Sequence, residues 1–141
     1  MMAGWKETVR EQLKRHEGVK RVAYLDTVGK VTAGCGRNLT DKGLSPVEID
    51  MLLTNDIADA EEDARRLLSD SGFEALTDTR KVVMVNMAFN LGYARLSRFR
   101  AMLGALKAGR WKDAAAEMRN SAWATQVKGR AEELAKLMEQ G

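Results

Sequence analysis

Cysteine occurs once in the 141 residues, as Cys35, so no disulfide can form within the chain and the fold must close without one. A lone cysteine suits a protein made in a reducing compartment. Histidine also occurs once, as His16, and with Cys35 it falls short of the clusters that hold zinc, so no metal and no cofactor is expected. There is one proline, Pro46, and aromatic residues make up only 6%. Together with 45% hydrophobic and 30% charged residues, this excludes collagen-like and low-complexity classes and predicts a mostly helical globular chain. The longest apolar runs, such as Val82 to Val85, fall far below the roughly 20 residues that cross a bilayer, so no membrane insertion is expected. Met1 to Trp5 is followed by Lys6, Glu7 and Arg10 where a secretory signal would place its apolar stretch, so no cleavable signal is expected either.

The length favours one domain, and at this size folding hides roughly 68–70% of the unfolded surface, enough to stand without staples. Net charge is 23 minus 20, or +3, which favours anionic partners without naming one. The charges are segregated. Gly43 to Ala64 carries seven carboxylates, from Glu48 to Asp63, and no Lys or Arg, whereas Arg95 to Lys112 carries six cations and no acid. Two solvated helix faces of opposite sign account for this pattern, and the acidic segment argues against a nucleic-acid partner.

Trp5, Val9, Leu13 and Glu17 recur every fourth residue and predict a first helix with one apolar stripe that ends at Gly18. From Arg21 to Arg37 the pattern shifts to a short hairpin turning at Asp26-Thr27-Val28-Gly29. Ser45, Pro46 and Glu48 form a capping box, with Leu44 and Ile49 as its staple, and open a second helix that runs to about Leu68 before Ser69-Asp70-Ser71-Gly72 breaks it. Phe73 to Leu91, apolar nearly all round, is the expected central helix. Three shorter helices follow, roughly Leu96 to Lys107, Trp111 to Arg119 and Val127 to Met138, with Gly109 and Ser121 to Thr125 as breaks.

Glu17 continues the stripe of Leu13, which points its carboxyl toward buried surface at the negative end of a helix. Both conditions favour a carboxyl that keeps its proton, as a general acid must. His16 points roughly 100° away around the helix and is not expected to act as a base. Asp26 alone reads as a turn-capping residue and Thr32 as a β-branched strand filler. Cys35, between two glycines and without a positioned base, reads as a small buried residue rather than a nucleophile.

Taken together, Glu17, eight residues, Asp26, five residues and Thr32 resemble the catalytic arrangement of the phage-type lysozymes, the T-even phage lysozyme family (glycoside hydrolase family 24). The neighbouring text resembles that family too: His16-Glu17-Gly18, Tyr24-Leu25-Asp26-Thr27, Gly29 and Thr32-Ala33-Gly34-Cys35-Gly36. So do Asn86-Met87-Ala88-Phe89-Asn90-Leu91-Gly92, then Gly109 to Ala115, Ser121-Ala122-Trp123, Gln126 and Arg130-Ala131. The resemblance covers the chain from about Glu11 to its end, with family length missing near Arg37 to Thr40.

The resemblance implies an α+β, predominantly helical, lysozyme-like fold. Residues 1–141 would form one domain, with a small β-hairpin lobe over about 17–68 and a larger helical lobe over about 73–141 on which the first helix packs. It implies a muramidase that cuts the β-1,4 bond between N-acetylmuramic acid and N-acetylglucosamine in bacterial peptidoglycan. Glu17 would be the general acid, while Asp26 and Thr32 hold the water; carboxyls roughly 6.5–9.5 Å apart leave room for that water and give inversion. Phe89, Asn38 and Gln126 would bind substrate, and Arg130 would face the catalytic glutamate. Met102 and Glu117 depart from short polar residues at aligned cleft positions. Arg37 would pair with Asp56. The implied protein is a monomer that accumulates in the bacterial host cytoplasm and reaches the cell wall through a separate holin-type pore. Two other readings are a lytic transglycosylase, which needs no water-holding pair, and an inactive peptidoglycan-binding phage component.

Overall fold

Eight helices and three short strands make up the described part of the computed structural model, residues 4–141. The chain divides into two compact units, Met1–Asp50 and Met51–Gly141. In the first, helix α1 (Trp5–Glu17) stops where the sequence places its stop. Gly18 turns to φ 73° and its N–H donates to the Lys14 carbonyl at 3.0 Å. Strands β1 (Lys20–Leu25), β2 (Val31–Gly34) and β3 (Arg37–Asn38) follow as an antiparallel sheet in the order β1-β2-β3. Tyr24 lies opposite Thr32 across β1 and β2, and Thr32 lies opposite Asn38 across β2 and β3, so Thr32 occupies the central strand.

Helix α2 (Pro46–Leu68) begins at the predicted capping box with both halves formed: the Glu48 N–H donates to Ser45 Oγ at 3.2 Å, and the Ser45 N–H donates to Glu48 Oε1 at 2.8 Å. The same Glu48 carboxylate accepts from the Arg37 guanidinium at 2.7 Å, and Arg37 also donates to the Gly43 carbonyl at 3.2 Å. Arg37 therefore pairs with Glu48 rather than with the predicted Asp56. Glu48 is nearer than Asp56 in sequence and is already fixed by the helix cap.

The second unit is built around a packed interior. The predicted break at Ser69 occurs, with Ser69 at φ 66°, but the chain restarts at once as the short helix α3 (Asp70–Glu74), where Ser69 Oγ accepts from the Gly72 N–H. Phe73 thus belongs to α3, and the central helix α4 (Asp78–Ser97) starts five residues later than predicted, capped by Thr77 Oγ1 on the Arg80 N–H at 3.2 Å. Gly92, at φ 78°, kinks α4. Helices α5 (Arg100–Lys107), α6 (Trp111–Arg119) and α8 (Gly129–Gln140) are those predicted, to within a few residues. The segment read as a break after Ser121 is instead a short helix, α7 (Ala122–Val127). Helix α8 packs against α4, α6 and α7, and α5 against α6. The interior draws on Val83, Met84, Met87, Leu96, Met102, Met118 and Met138, all fully buried. Unbranched methionines suit the irregular gaps left between short helices. Arg80 is buried with them: its Nε donates to the Met138 carbonyl at 2.8 Å, and its guanidinium lies 4.0 Å from the Trp111 ring, closing the C-terminal end of α8.

No helix among the described residues is long and apolar enough to cross a membrane. The architecture is a lysozyme-like α+β fold.

Candidate active site

Asp26 opens the turn between β1 and β2, and its carboxylate is used on one side only. Oδ1 accepts from the Val28 N–H at 2.9 Å and the Lys30 N–H at 2.8 Å, while the backbone of Asp26 bonds Lys30 and Gly29. Among the described residues Oδ2 accepts no hydrogen bond. The turn-capping role of Asp26 thus uses one of its two oxygens and leaves the other without a hydrogen bond among the described residues.

Thr32, 5% exposed, is the one buried residue among the described residues of the first unit. Its hydroxyl donates to the Lys30 carbonyl at 3.1 Å, so its proton is committed and its lone pairs remain to accept. The backbone of Lys30 thus fixes both residues, its N–H holding Asp26 and its C=O holding Thr32. The hairpin is closed further by Thr40 Oγ1, which accepts from the Val31 N–H at 2.8 Å, and by a Lys30–Asp41 ion pair at 3.3 Å.

Glu17 is the last residue of α1 and is exposed, as is every residue of the Trp5, Val9, Leu13 stripe. This corrects the predicted burial of its carboxyl: among the described residues of its unit, α1 is accompanied only by a small sheet and the first residues of α2. What Glu17 does meet is the turn joining β2 to β3. A Cβ placed on Gly36 would lie 3.0 Å from Glu17 Oε2. Spacing alone gave no sign of this contact; the Gly34-Cys35-Gly36 run was the only hint. Cys35 is exposed rather than buried, because it sits in the two-residue turn after β2.

Asn38 lies opposite Thr32, but its side chain serves the next loop: Oδ1 accepts from the Asp41 N–H at 2.9 Å, and Nδ2 donates to Asp41 Oδ2 at 3.1 Å. It borders a depression of about 620 Å³ with Gly36, Arg37, Lys42, Leu44 and Glu48. Glu48 is the strongly perturbed group there. The Arg37 guanidinium, then the Ser45 amide and hydroxyl, hold its carboxyl down to about 2, and the same pairing raises Arg37.

In the second unit, Phe89 is 45% exposed on α4 and shares a cavity of about 650 Å³ with Leu53, Val85, Asn86 and Arg130. Arg130 is held by Asn86, whose Oδ1 accepts from Nε at 3.0 Å and from Nη2 at 2.7 Å. One turn along α4, Asn90 Oδ1 accepts from Trp123 Nε1 at 2.7 Å. Gln126 accepts from Arg95 at 3.3 Å and lines a second cavity, about 350 Å³, with Arg98, Arg100, Met102, Glu117 and Trp123. Arg95, Arg98 and Arg100 have no carboxylate partner among the described residues. Sequence reasoning noted their charge but did not gather them around one cavity. No group of three or more His, Cys, Asp or Glu side chains able to hold a metal lies among the described residues.

The fold is lysozyme-like α+β, with Glu17 at the end of α1 and Asp26 and Thr32 on the hairpin that follows it. Residues 14–140 match the model of the family described as phage lysozyme, and the chain belongs to that family. It is similar to the probable T4-type lysozyme 2 of Dictyostelium discoideum, 27% identical over 95% of each chain, and to the probable T4-type lysozyme 1 of that organism, 26% identical over the same shares. It is also 30% identical to the pre-baseplate central spike protein Gp5 of Enterobacteria phage T4, over 86% of this chain and 26% of that one. The chain thus spans about a quarter of the spike protein's length and nearly all of the two lysozymes'.

Proposed function

We propose that the protein hydrolyses the β-1,4 bond between N-acetylmuramic acid and N-acetylglucosamine in peptidoglycan by an inverting single displacement. The observation that carries this reading is the Asp26–Lys30–Thr32 arrangement. A carboxylate oxygen left free and a hydroxyl whose own proton is committed, both anchored on the Lys30 backbone, make two acceptors, and two acceptors suit the two protons of one water. Glu17, as the acid, gives its proton to the departing glycosidic oxygen. The water attacks the anomeric carbon from the opposite face, losing a proton to Asp26 Oδ2 while Thr32 Oγ1 orients it.

The substrate-binding roles of Phe89, Asn38 and Gln126 and the supporting role of Arg130 rest on the resemblance and belong to this proposal. So do the single-domain organisation, the monomeric state and action on the cell wall from the bacterial cytoplasm through a holin-type pore. The test is Asp26→Asn and Thr32→Ala on purified peptidoglycan. Each should lower kcat by about 10²-fold or more with the fold intact, since each removes one of the two acceptors. Ordinary hydrolysis by both variants would contradict the water-holding role and favour a transglycosylase.

The similarity to part of a spike protein favours a second reading, a virion component that keeps this domain for entry rather than release. Detection of the chain in purified particles would select that reading.

A further inference from the structure

We infer that Gly36 is a positioning residue for the Glu17 carboxyl and that it acts through the side chain it lacks. The inference rests on the reading of Glu17 as the acid. Gly36 sits in the turn between β2 and β3 at φ 75°, a conformation that L side chains rarely adopt, so the turn geometry by itself favours glycine. Its surroundings add a second demand. A Cβ at this position would meet three atoms of one side chain, Glu17 Oε2 at 3.0 Å, Cδ at 3.2 Å and Cγ at 3.3 Å. The glutamate therefore lies along the bare Cα face of Gly36.

Other glycines of the same unit separate the two demands. Gly34, two residues earlier, has φ 66° and nothing within 4 Å of its Cβ position; Gly43 has φ 68° and meets only the Leu39 carbonyl, at 4.0 Å. All three need a left-handed backbone, but of these only Gly36 needs the space. A methyl group there cannot be absorbed by the backbone that carries it, so the flexible glutamate must give by a few tenths of an ångström. An acid delivers its proton efficiently only within a narrow range of position, and a displacement of about 1 Å costs roughly 100-fold in rate.

The experiment compares Gly36→Ala, Gly36→Asn and Gly43→Ala with the wild-type chain. Asparagine tolerates the left-handed region better than alanine, so Gly36→Asn keeps the intruding Cβ while easing the backbone strain. Both Gly36 variants should stay folded by circular dichroism and lose roughly tenfold in kcat, with KM within about twofold, whereas Gly43→Ala keeps the wild-type kcat. A carbon-labelled glutamate adds a readout independent of turnover: the chemical shift of the Glu17 carboxyl carbon should move in the Gly36 variants and not in Gly43→Ala. An unmoved resonance, a wild-type kcat in Gly36→Ala, or equal losses at positions 36 and 43 would each overturn the inference. If the wild-type chain cleaves no peptidoglycan, the hydrolase reading fails instead, and the resonance still decides whether Gly36 sets the place of Glu17.

Discussion

The two units of the chain are held together by different forces. In the first, Met1–Asp50, Thr32 is the only buried residue among those described, and order comes from polar contacts: Asp26 capping its turn, Thr40 closing the hairpin, and Arg37 and Ser45 gripping Glu48. In the second, Met51–Gly141, every buried apolar side chain of the described residues is found, from Ala60 to Met138. A segment of about 50 residues buries too little surface to rely on packing, so its shape depends on backbone-directed hydrogen bonds. That is also the shape a polar reaction needs, because acceptors fixed by the backbone stay aimed while remaining open to water. The three residues assigned to catalysis all lie in the hydrogen-bonded unit.

The sharpest way to set the units apart is one substitution in each. Glu17→Gln keeps the shape of the acid and removes its proton, and should cost about 10²–10⁴-fold in rate with the thermal transition unchanged. Met84→Ala, in the packed interior, should do the reverse: about 2–5 kcal/mol of stability lost, read by denaturant unfolding, with activity per folded molecule retained. Loss of stability in the first or of catalysis in the second would break the division. Ser45→Ala, which removes the cap from α2, should cost a smaller 0.5–2 kcal/mol, roughly.

The smallest effect is one of pH. Glu48 binds its proton less readily in the folded chain, where Arg37 and Ser45 hold it at about 2, than at its usual 4.5. The stability it contributes is complete above pH 4.5 and is lost as the pH falls toward 2. An acid titration of unfolding should show that loss in the wild-type chain and not in Glu48→Gln.

Local signals proved legible in the sequence. The Ser45-Pro46-Glu48 box, the stop at Gly18 and the turn at Asp26 are each encoded within four or five residues, and each forms as read. What was not legible depends on which parts of the chain meet. The exposure of Glu17 and Cys35, the choice of Glu48 over Asp56 by Arg37, and the contact between Glu17 and Gly36 are set by tertiary arrangement. The start of α4 lies between these cases. Thr77-Asp78 is a cap signal, but the continuous apolar character from Phe73 onward concealed it, because Phe73 is buried from a separate short helix.

The account turns on water as the nucleophile, held by Asp26 and Thr32 across from Glu17. Its most direct test is to digest purified peptidoglycan and follow the first sugar ends by NMR before they mutarotate. Inversion at a β-linkage predicts reducing ends that appear first as the α-anomer; ends that appear as the β-anomer, or as anhydro sugars, would contradict it.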